Sequence, residues 1–215
     1  MKTIVQIVLW IVCIGLGYLI YQSVTGPIEF KKVKEERFSK VISTLKDIRD
    51  SQVAYRTVNG KYANDFKSLV AFVDTGKYTI TQQRDSSYME FDKVYGIDML
   101  KEITIIDTLG FVAVKDSNFR DSDRYKTMMN VPYAEGEKFS IKADVVDKGG
   151  YSAPVFEVKV SKDVILADQP KDLRDRENAQ ISVEEVNGPE IKVGSLTDVS
   201  TNGNWPPIYD KKGNK

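Results

Sequence analysis

The stretch DIRDSQVAYRTVNGKYAND, residues 47–65, predicts the last turns of a helix followed by a tight turn. Apolar residues recur at helical spacing through its first part, as they do on the buried face of an amphipathic helix. Asn59 and Gly60 then end the helix, because both residue types tolerate the left-handed backbone conformation that a helix C-cap requires. The fold depends on where this helix begins and on what it packs against.

An apolar stripe at three- and four-residue spacing leads into this helix end. Its members are Phe38, Val41, Leu45, Ile48 and Tyr55, with the polar Gln52 among them. Such a stripe either packs on the chain's own β-sheet or forms a seam with a helix of a neighbouring protein, and we favour the sheet for the second half of the helix. Residues 30–37 are densely charged and carry little of the stripe, so we expect them to stand clear of the domain as a stalk.

Apolar side chains dominate residues 4–21, where Gln6 is the only strongly polar side chain. About 20 helical residues span a hydrocarbon core of about 30 Å, so residues 1–25 are predicted to form a single-pass membrane anchor. The anchor residues that we single out are Ile4, Trp10, Tyr18 and Tyr21. A cleaved signal peptide is the alternative, but no pair of small residues of the A-x-A kind ends the segment. After the anchor, Pro27 is suited to the first position of a new helix.

The charges that flank the anchor bear on its orientation. Lys2 alone precedes it, whereas five basic residues follow within the next twenty: Lys31, Lys32, Lys34, Arg37 and Lys40. The positive-inside rule would therefore place the C-terminal domain in the cytoplasm. Long domains translocate largely regardless of charge, however, and a short N-terminal tail followed at once by an anchor is typical of an export signal. We therefore expect an inner-membrane protein whose C-terminal domain lies in the periplasm.

The remainder of the chain predicts an α+β fold, in which a long amphipathic helix packs on an antiparallel sheet. A short helix is predicted over residues 65–75, with Gly76 as its stop, followed by a strand over residues 77–82. Residues 84–101 fit no single element. The chain is accordingly divided into a membrane anchor (1–25), a stalk helix with a pilin-like helical start (26–83) and a β-rich soluble domain (84–215).

Turn-forming residues separate the strands of the β-rich part. Three regions are predicted to be extended: residues 102–116, broken at Leu109–Gly110, residues 137–161, a hairpin turning at Gly149–Gly150, and residues 179–196, a hairpin turning at Asn187–Gly188. The tail over residues 200–215 is expected to be irregular. Trp205 and Tyr209 are expected to hold this tail to the domain, because aromatic residues flanked by two prolines are seldom left loose.

The composition excludes several classes of function. Lys and Arg total 31 and Asp and Glu total 31, so the net charge is zero and nucleic acid is not expected as a partner. The chain has no histidine, which excludes Ser-His-Asp and Cys-His catalysis and zinc sites with histidine ligands. Its single cysteine, Cys13, lies in the apolar segment, so the rest of the chain has no disulfide. We expect no metal, no cofactor and no small-molecule substrate.

Two short motifs match known functional patterns in part. Ser43 and Lys46 match the S-x-x-K pattern of penicillin-recognising enzymes, but the companion motifs S-D-N and K-T-G are absent. The acidic loop 168–178 could bind calcium through four carboxylates, those of Asp168, Asp172, Asp175 and Glu177. Basic residues alternate with these acids and no glycine lies where an EF-hand loop requires one, so a solvated, self-paired charge run is favoured instead.

At residues 45–73 the chain resembles type IV pilins and the pseudopilins of type II secretion systems. The matching positions are Gln52–Tyr55, Gly60–Tyr62 and Leu69. In these families an apolar N-terminal helix continues into an amphipathic helix that packs on a small antiparallel sheet. The chain lacks the prepilin cleavage site before Ile4 and a glutamate in its anchor, so the resemblance implies a fixed pilin-like protein rather than a polymerising pilin. The whole chain is also similar to single-pass envelope proteins of Bacteroidota.

Two functions of different classes are consistent with these features. The first is a non-enzymatic structural or scaffolding subunit, which is anchored in the membrane and docks other envelope proteins, in part through the stalk helix. The second is a membrane-anchored enzyme that works without histidine, such as a glycan hydrolase with a carboxylate pair. The absence of a catalytic motif favours the scaffold.

Overall fold

The structure is a computed structural model that describes residues 2–93, 95–120 and 122–211, and its architecture is α+β, as predicted. The α-helices in these residues are α1 (Lys2–Asn59), α2 (Phe66–Thr75), α3 (Val114–Phe119), α4 (Lys162–Ile165), α5 (Lys171–Asn178) and α6 (Ile208–Lys211). The strands are β1 (Lys77–Asp92), β2 (Ile97–Ala113), β3 (Ser140–Lys148), β4 (Tyr151–Ser161) and β5 (Glu190–Ser195). They form two antiparallel sheets, one of order β1-β2 and one of order β3-β4-β5.

Helix α1 is continuous over 58 residues and contains Pro27 in its interior. The prediction that a new helix begins at Pro27 was therefore wrong. A proline in a helix interior removes one backbone hydrogen bond and crowds the carbonyl of the residue four positions earlier, but helix α1 continues through Pro27. The predicted end at Asn59–Gly60 is confirmed, since Gly60 has φ +73° and its N–H donates to the carbonyl of Arg56 at 2.8 Å.

The N-terminal part of α1 is long and apolar enough to cross a membrane. Side chains over residues 3–24 are exposed. The predicted anchor residues Ile4, Trp10, Tyr18 and Tyr21 are between 64% and 71% exposed. The structure therefore places this segment outside the protein core, where a bilayer could surround it.

Residues 30–37 do not stand clear of the domain, so that prediction was wrong. Phe30 and Lys34 are only 8% and 5% exposed. Lys34 donates hydrogen bonds to Glu177 and Glu185, at 2.9 and 2.8 Å. Of the charges that suggested a solvated stalk, Lys34 is instead paired with two acids that lie more than 140 residues further along the chain.

The predicted stripe of α1 lies in the hydrophobic core. Its members Phe38, Val41, Leu45 and Ile48 are fully buried. Tyr55 is half-buried and meets the ring of Phe72 edge-on, with the ring centroids 5.0 Å apart. Gln52 is also fully buried, and its side-chain amide pairs with the backbone N–H and C=O of Ala63 at 2.9 and 2.8 Å. The polar residue in the stripe thus fixes the turn that follows the helix.

The three-stranded sheet supplies the other side of this core, with β4 as its central strand. The predicted hairpin over residues 137–161 is confirmed, and Gly149 and Gly150 form its turn with φ of 63° and 84°. The predicted hairpin over residues 179–196 was wrong, because only β5 is extended there and it pairs with β4. The side chain of Asn187 accepts from the N–H of Ser182, which closes a local turn where a strand was expected.

The tail is held to the domain, as predicted. Tyr209 is 7% exposed and Trp205 packs against the core. Lys46 of α1 donates to the carbonyl of Tyr209 at 2.9 Å and pairs with the carboxylate of Asp210 at 2.8 Å. Residues 212–215 of the predicted tail lie outside the described residues.

Candidate docking surface

A long two-stranded ribbon extends from the α+β core. Strands β1 and β2 pair along their whole length, from Lys77 opposite Ala113 to Asp92 opposite Ile97. Sixteen residues at about 3.3 Å per residue make an arm of roughly 50 Å. We call residues 77–92 and 97–113 the β-ribbon. The sequence predicted only its ends, since residues 84–101 fitted no single element.

The base of the β-ribbon is fixed to the helical part of the fold. The N–H of Val114 donates to the carbonyl of Gly76 at 2.9 Å, which joins the two ends of the ribbon. Tyr78 is half-buried there, and this burial raises the pKa of its phenol. The predicted break at Leu109–Gly110 is a β-bulge in a continuous strand, because the register shifts opposite Ile80 and Thr81.

Beyond this base the β-ribbon is exposed on both faces. Every side chain over residues 79–91 is exposed, and so are those over 97–104 and 106–109. Its ion pairs join its own two strands: Lys101 to Glu90 at 2.7 Å and Arg84 to Asp107 at 3.3 Å. In the described part of the chain, the rest of the domain therefore leaves the ribbon uncovered.

Large apolar side chains lie on both of these exposed faces. Alternation along the strands and the observed register assign them to two sets. The Phe91 face carries Met89, Phe91, Leu100 and Ile106, which are between 59% and 65% exposed. The Ile103 face carries Tyr88, Ile97, Met99 and Ile103, which are between 39% and 58% exposed. Soluble monomers rarely expose so long an apolar surface, and a two-stranded ribbon alone is only marginally stable in water.

The β-ribbon is acidic as well as apolar. Residues 84–107 contain three basic and six acidic side chains. The hydrogen bond from Lys101 lowers the pKa of Glu90, and the same bond raises the pKa of Lys101. Both groups are charged at neutral pH, so the ribbon presents ordered charges beside its apolar side chains.

A cluster of ionic side chains fixes the part of α1 around Lys34, which follows the apolar segment, to the rest of the domain. Glu177 is 6% exposed and accepts hydrogen bonds from Lys34 and from Lys162, both at 2.9 Å. Burial alone lowers the pKa of Lys34, but the carboxylates of Glu185 and Glu177 outweigh it, and the pKa is raised. For Lys162, burial has a larger effect than the Glu177 carboxylate, so the pKa of this lysine is lowered.

The acidic loop 168–178 also attaches α1 to the domain, and part of this loop forms α5. Asp168 pairs with Arg37, whose Nη2 lies 2.8 Å from the carboxylate, and this contact lowers the pKa of Asp168 to about 2. The expectation of a solvated, self-paired charge run was therefore wrong at Asp168 and Glu177, which pair with residues of α1. Among the residues that the structure describes, no group of three acidic or thiol side chains could hold a metal ion.

The S-x-x-K pair lies on the exposed side of α1. Ser43 is exposed, while Lys46 is engaged with Tyr209 and Asp210. Lys46 is thus occupied by the tail of the chain, which gives it a structural role.

A cleft of about 510 Å³ lies between α1 and the tail. Its lining includes the carboxylates of Glu35, Glu184 and Glu185 and the ring of Tyr209. Burial raises the pKa of the Tyr209 phenol, and the charges of Glu185 and Glu35 raise it further. Glu185 is also paired with Lys34, so it belongs to the ionic cluster as well as to the cleft.

The predicted site residues lie outside the β-ribbon. The four anchor residues lie on the apolar segment of α1, and the five residues of the predicted packing face contribute to the core. Sequence reasoning predicted strands over residues 77–82 and 102–116 but did not join them into one long ribbon through residues 84–101, although residues 97–113 are rich in β-branched and aromatic side chains and contain no proline. That composition was the available signal for a long strand.

A comparison of the chain with protein families, with curated proteins and with solved structures found no match. The resemblance to pilins and pseudopilins therefore rests on the residues of the α1–α2 region.

Proposed function

We propose that this chain is a non-enzymatic envelope protein, anchored in the inner membrane, that serves as a pilin-like structural or scaffolding subunit of a secretion or assembly machine. The observation that carries the proposal is the β-ribbon. It is about 50 Å long, it is apolar on both faces, and the described part of its own chain leaves it uncovered.

The continuity of α1 supports this proposal. The same helix contains the apolar segment and, further along, the fully buried residues Phe38 and Leu45. Lys34 and Arg37 lie between these two parts of α1. Lys34 pairs with Glu177 and Arg37 pairs with Asp168, and these ion pairs fix this part of the helix to the domain. A domain held in this way keeps its β-ribbon at a defined position relative to the bilayer, which is what a scaffold requires.

The docking surface in this proposal differs from the one expected from the sequence. The stripe of the stalk helix was one candidate for binding a neighbouring protein, but its residues are buried in the chain's own core. We therefore assign docking to the β-ribbon. The C-terminal domain is proposed to lie in the periplasm, where other envelope proteins are available as partners.

Site-specific photo-crosslinking in native membranes tests the proposal. A photoreactive amino acid replaces Phe91, or Leu100 on the same face, and a matched control replaces Val183, which is 91% exposed but lies outside the β-ribbon. We expect the two ribbon positions to capture one shared set of envelope proteins and the control to capture none of it. External protease treatment of the same membranes reports the side on which the domain lies. Equal capture at all three positions, or none at the ribbon, would exclude the ribbon as a docking surface.

A glycan hydrolase with a carboxylate pair is the second candidate, and the cleft of about 510 Å³ favours it because three glutamates line it. Its test is hydrolysis of cell-wall glycans by the full chain. If the cleft is catalytic, Glu35→Gln should abolish the activity, whereas Glu190→Gln, an exposed substitution outside the cleft, should leave it intact. If the unsubstituted chain shows no more activity than Glu35→Gln, this candidate is removed.

A further inference from the structure

The outer edge of β2 is a free strand edge in the described part of the chain. Strand β2 pairs with β1 on one side, and these two strands are the whole of their sheet. Its central segment, residues 100–108, has the sequence LKEITIIDT and contains neither proline nor glycine. A long free edge of this kind is a template for a further strand, because its N–H and C=O groups have no partner in the sheet.

The sequence of this edge is complementary to itself. If two β2 strands pair in antiparallel register around Thr104, Lys101 of each copy lies opposite Asp107 of the other. Ile103 lies opposite Ile105 in the same register, and Thr104 meets Thr104. Opposite charges and β-branched side chains in directly opposed positions each stabilise an antiparallel pair. Centring the pairing on Ile103 or on Ile105 instead would remove both charge pairs.

The charges already in place on the β-ribbon extend this complementarity. Lys101 pairs with Glu90 at 2.7 Å, and Asp107 pairs with Arg84 at 3.3 Å, both on the Ile103 face. In the register around Thr104, the side chains across the seam would follow the order Glu90, Lys101, Asp107, Arg84, with the last two from the second copy. The signs alternate along the whole row, so each charge has opposite charges as neighbours.

We propose that the free edge of β2 pairs with β2 of a second copy of this chain, to form a four-stranded antiparallel sheet of order β1-β2-β2-β1. This inference rests on the proposed scaffold function and names the contact between its subunits. Such a contact is isologous, because the same residues contribute from both copies. Anchoring in one membrane would raise the effective concentration of the copies for each other.

A lipid surface fits the β-ribbon less well than a second copy. The excess of three acidic side chains over residues 84–107 would be repelled by anionic headgroups, and the carboxylates would lose hydration. Pairing between copies leaves these charges at the solvated faces of the sheet and places Lys101 of each copy opposite Asp107 of the other.

Disulfide formation between copies tests the register. The full chain carries Cys13→Ser with Thr104→Cys, and the matched control carries Cys13→Ser with Asp85→Cys, because Asp85 lies opposite Thr104 but on the outer strand. In the proposed sheet the two Thr104 Cα atoms would be about 5 Å apart, within disulfide range, whereas the two Asp85 Cα atoms would be roughly 14 Å apart. We expect oxidation in native membranes to give about tenfold more disulfide dimer with Thr104→Cys than with Asp85→Cys. Equal dimer from both variants, or none from Thr104→Cys, would overturn the proposal.

Charge substitutions at the same position give a second, independent test. In an Asp85→Asn background, copies that all carry Thr104→Lys, or all carry Thr104→Glu, would place like charges directly opposite each other. We expect differently tagged copies to lose co-isolation in each case and to regain it when lysine copies are mixed with glutamate copies. Undiminished co-isolation of like-charged copies would overturn the proposal. If copies fail to pair while Phe91 still captures other envelope proteins, the scaffold function stands and this inference alone falls.

Discussion

Replacing Glu177 with glutamine tests the ionic cluster that fixes α1 to the domain. The substitution preserves the shape of the side chain but removes the charge that two buried lysines share. Lys34 keeps Glu185 as a partner at 2.8 Å, whereas Lys162 keeps only the carbonyls of Glu177 and Val186, at 3.0 and 2.6 Å. Removing one partner of a buried ion pair costs about 3–5 kcal/mol. Because Lys34 stays paired, we expect Glu177→Gln to lower the free energy of unfolding by about 3 kcal/mol.

The pH dependence of this loss distinguishes the mechanism. Burial already lowers the pKa of Lys162, and without the Glu177 carboxylate that pKa falls further. At pH values between this lowered pKa and the ordinary pKa of lysine, the unfolded variant binds more protons than the folded variant. The free energy of unfolding of the variant therefore rises with pH in this range. The destabilisation by Glu177→Gln should therefore be smaller at about pH 9 than at about pH 7.

Denaturant unfolding of the full chain in detergent micelles measures both effects. Fluorescence of Trp205, in a Trp10→Phe background, reports on the domain. Glu190→Gln is the matched control, because Glu190 and its partner Lys159 are 40% and 34% exposed, and an exposed pair contributes less than about 1 kcal/mol. A loss with Glu177→Gln no larger than that with Glu190→Gln, and independent of pH, would refute the reasoning that the cluster is desolvated.

Three further predictions concern the stability of the full chain in the same unfolding assay. Leu45→Ala should cost about 3 kcal/mol, since Leu45 is fully buried, and a loss below about 1 kcal/mol would show that this face of α1 is not core. Gln52→Leu should cost about 2–4 kcal/mol because it leaves the N–H and C=O of Ala63 unpaired, and unchanged stability would mean that water replaces the amide. Arg37 lowers the pKa of Asp168 to about 2, so the pair should stabilise the fold above about pH 4 and lose that contribution, about 1 kcal/mol after solvent screening, as pH falls towards 2. Asp168→Asn should abolish this part of the acid dependence, and its persistence in that variant would assign it to other carboxylates.

Features with a local signal could be predicted from the sequence. The end of α1 at Asn59–Gly60 follows from backbone conformation, and the hairpin at Gly149–Gly150 follows in the same way. Helix α2 begins where Asp65 caps it, with its carboxylate accepting from the N–H of Ser68 at 2.7 Å. The apolar stripe of α1 was recognisable because its period matches a helix with one buried face.

The remaining features depend on contacts that sequence spacing does not encode. Lys34 and Glu177 are 143 residues apart, so neither residue indicates that the other neutralises it. Charge density over residues 30–37 therefore suggested a solvated stalk, although Lys34 and Arg37 each have a partner in the acidic loop. Turn-forming residues at the end of residues 179–187 suggested a hairpin, but the strand that follows them, β5, pairs with β4 instead.

The outer part of the β-ribbon, within residues 84–101, was missed for a different physical reason. A strand is recognised by alternation between a buried and an exposed face, and this ribbon has no buried face in the described structure. Apolar side chains such as Phe91 and Ile103 lie on opposite faces of it, so the alternating pattern is lost. The property that hid the ribbon from sequence analysis is the property that makes it a candidate docking surface.

Core and ribbon differ in where their apolar side chains find partners. Leu45 and Ile48 of α1 are covered by the chain itself, whereas Met89 and Leu100 of the β-ribbon are 65% and 63% exposed. An uncovered ribbon contributes little to the stability of the fold and exposes a strand edge that promotes aggregation. Folding alone therefore does not explain its length, but assembly does, because a second strand at the β2 edge would satisfy the backbone groups of that edge and give Lys101 and Asp107 a further opposite charge.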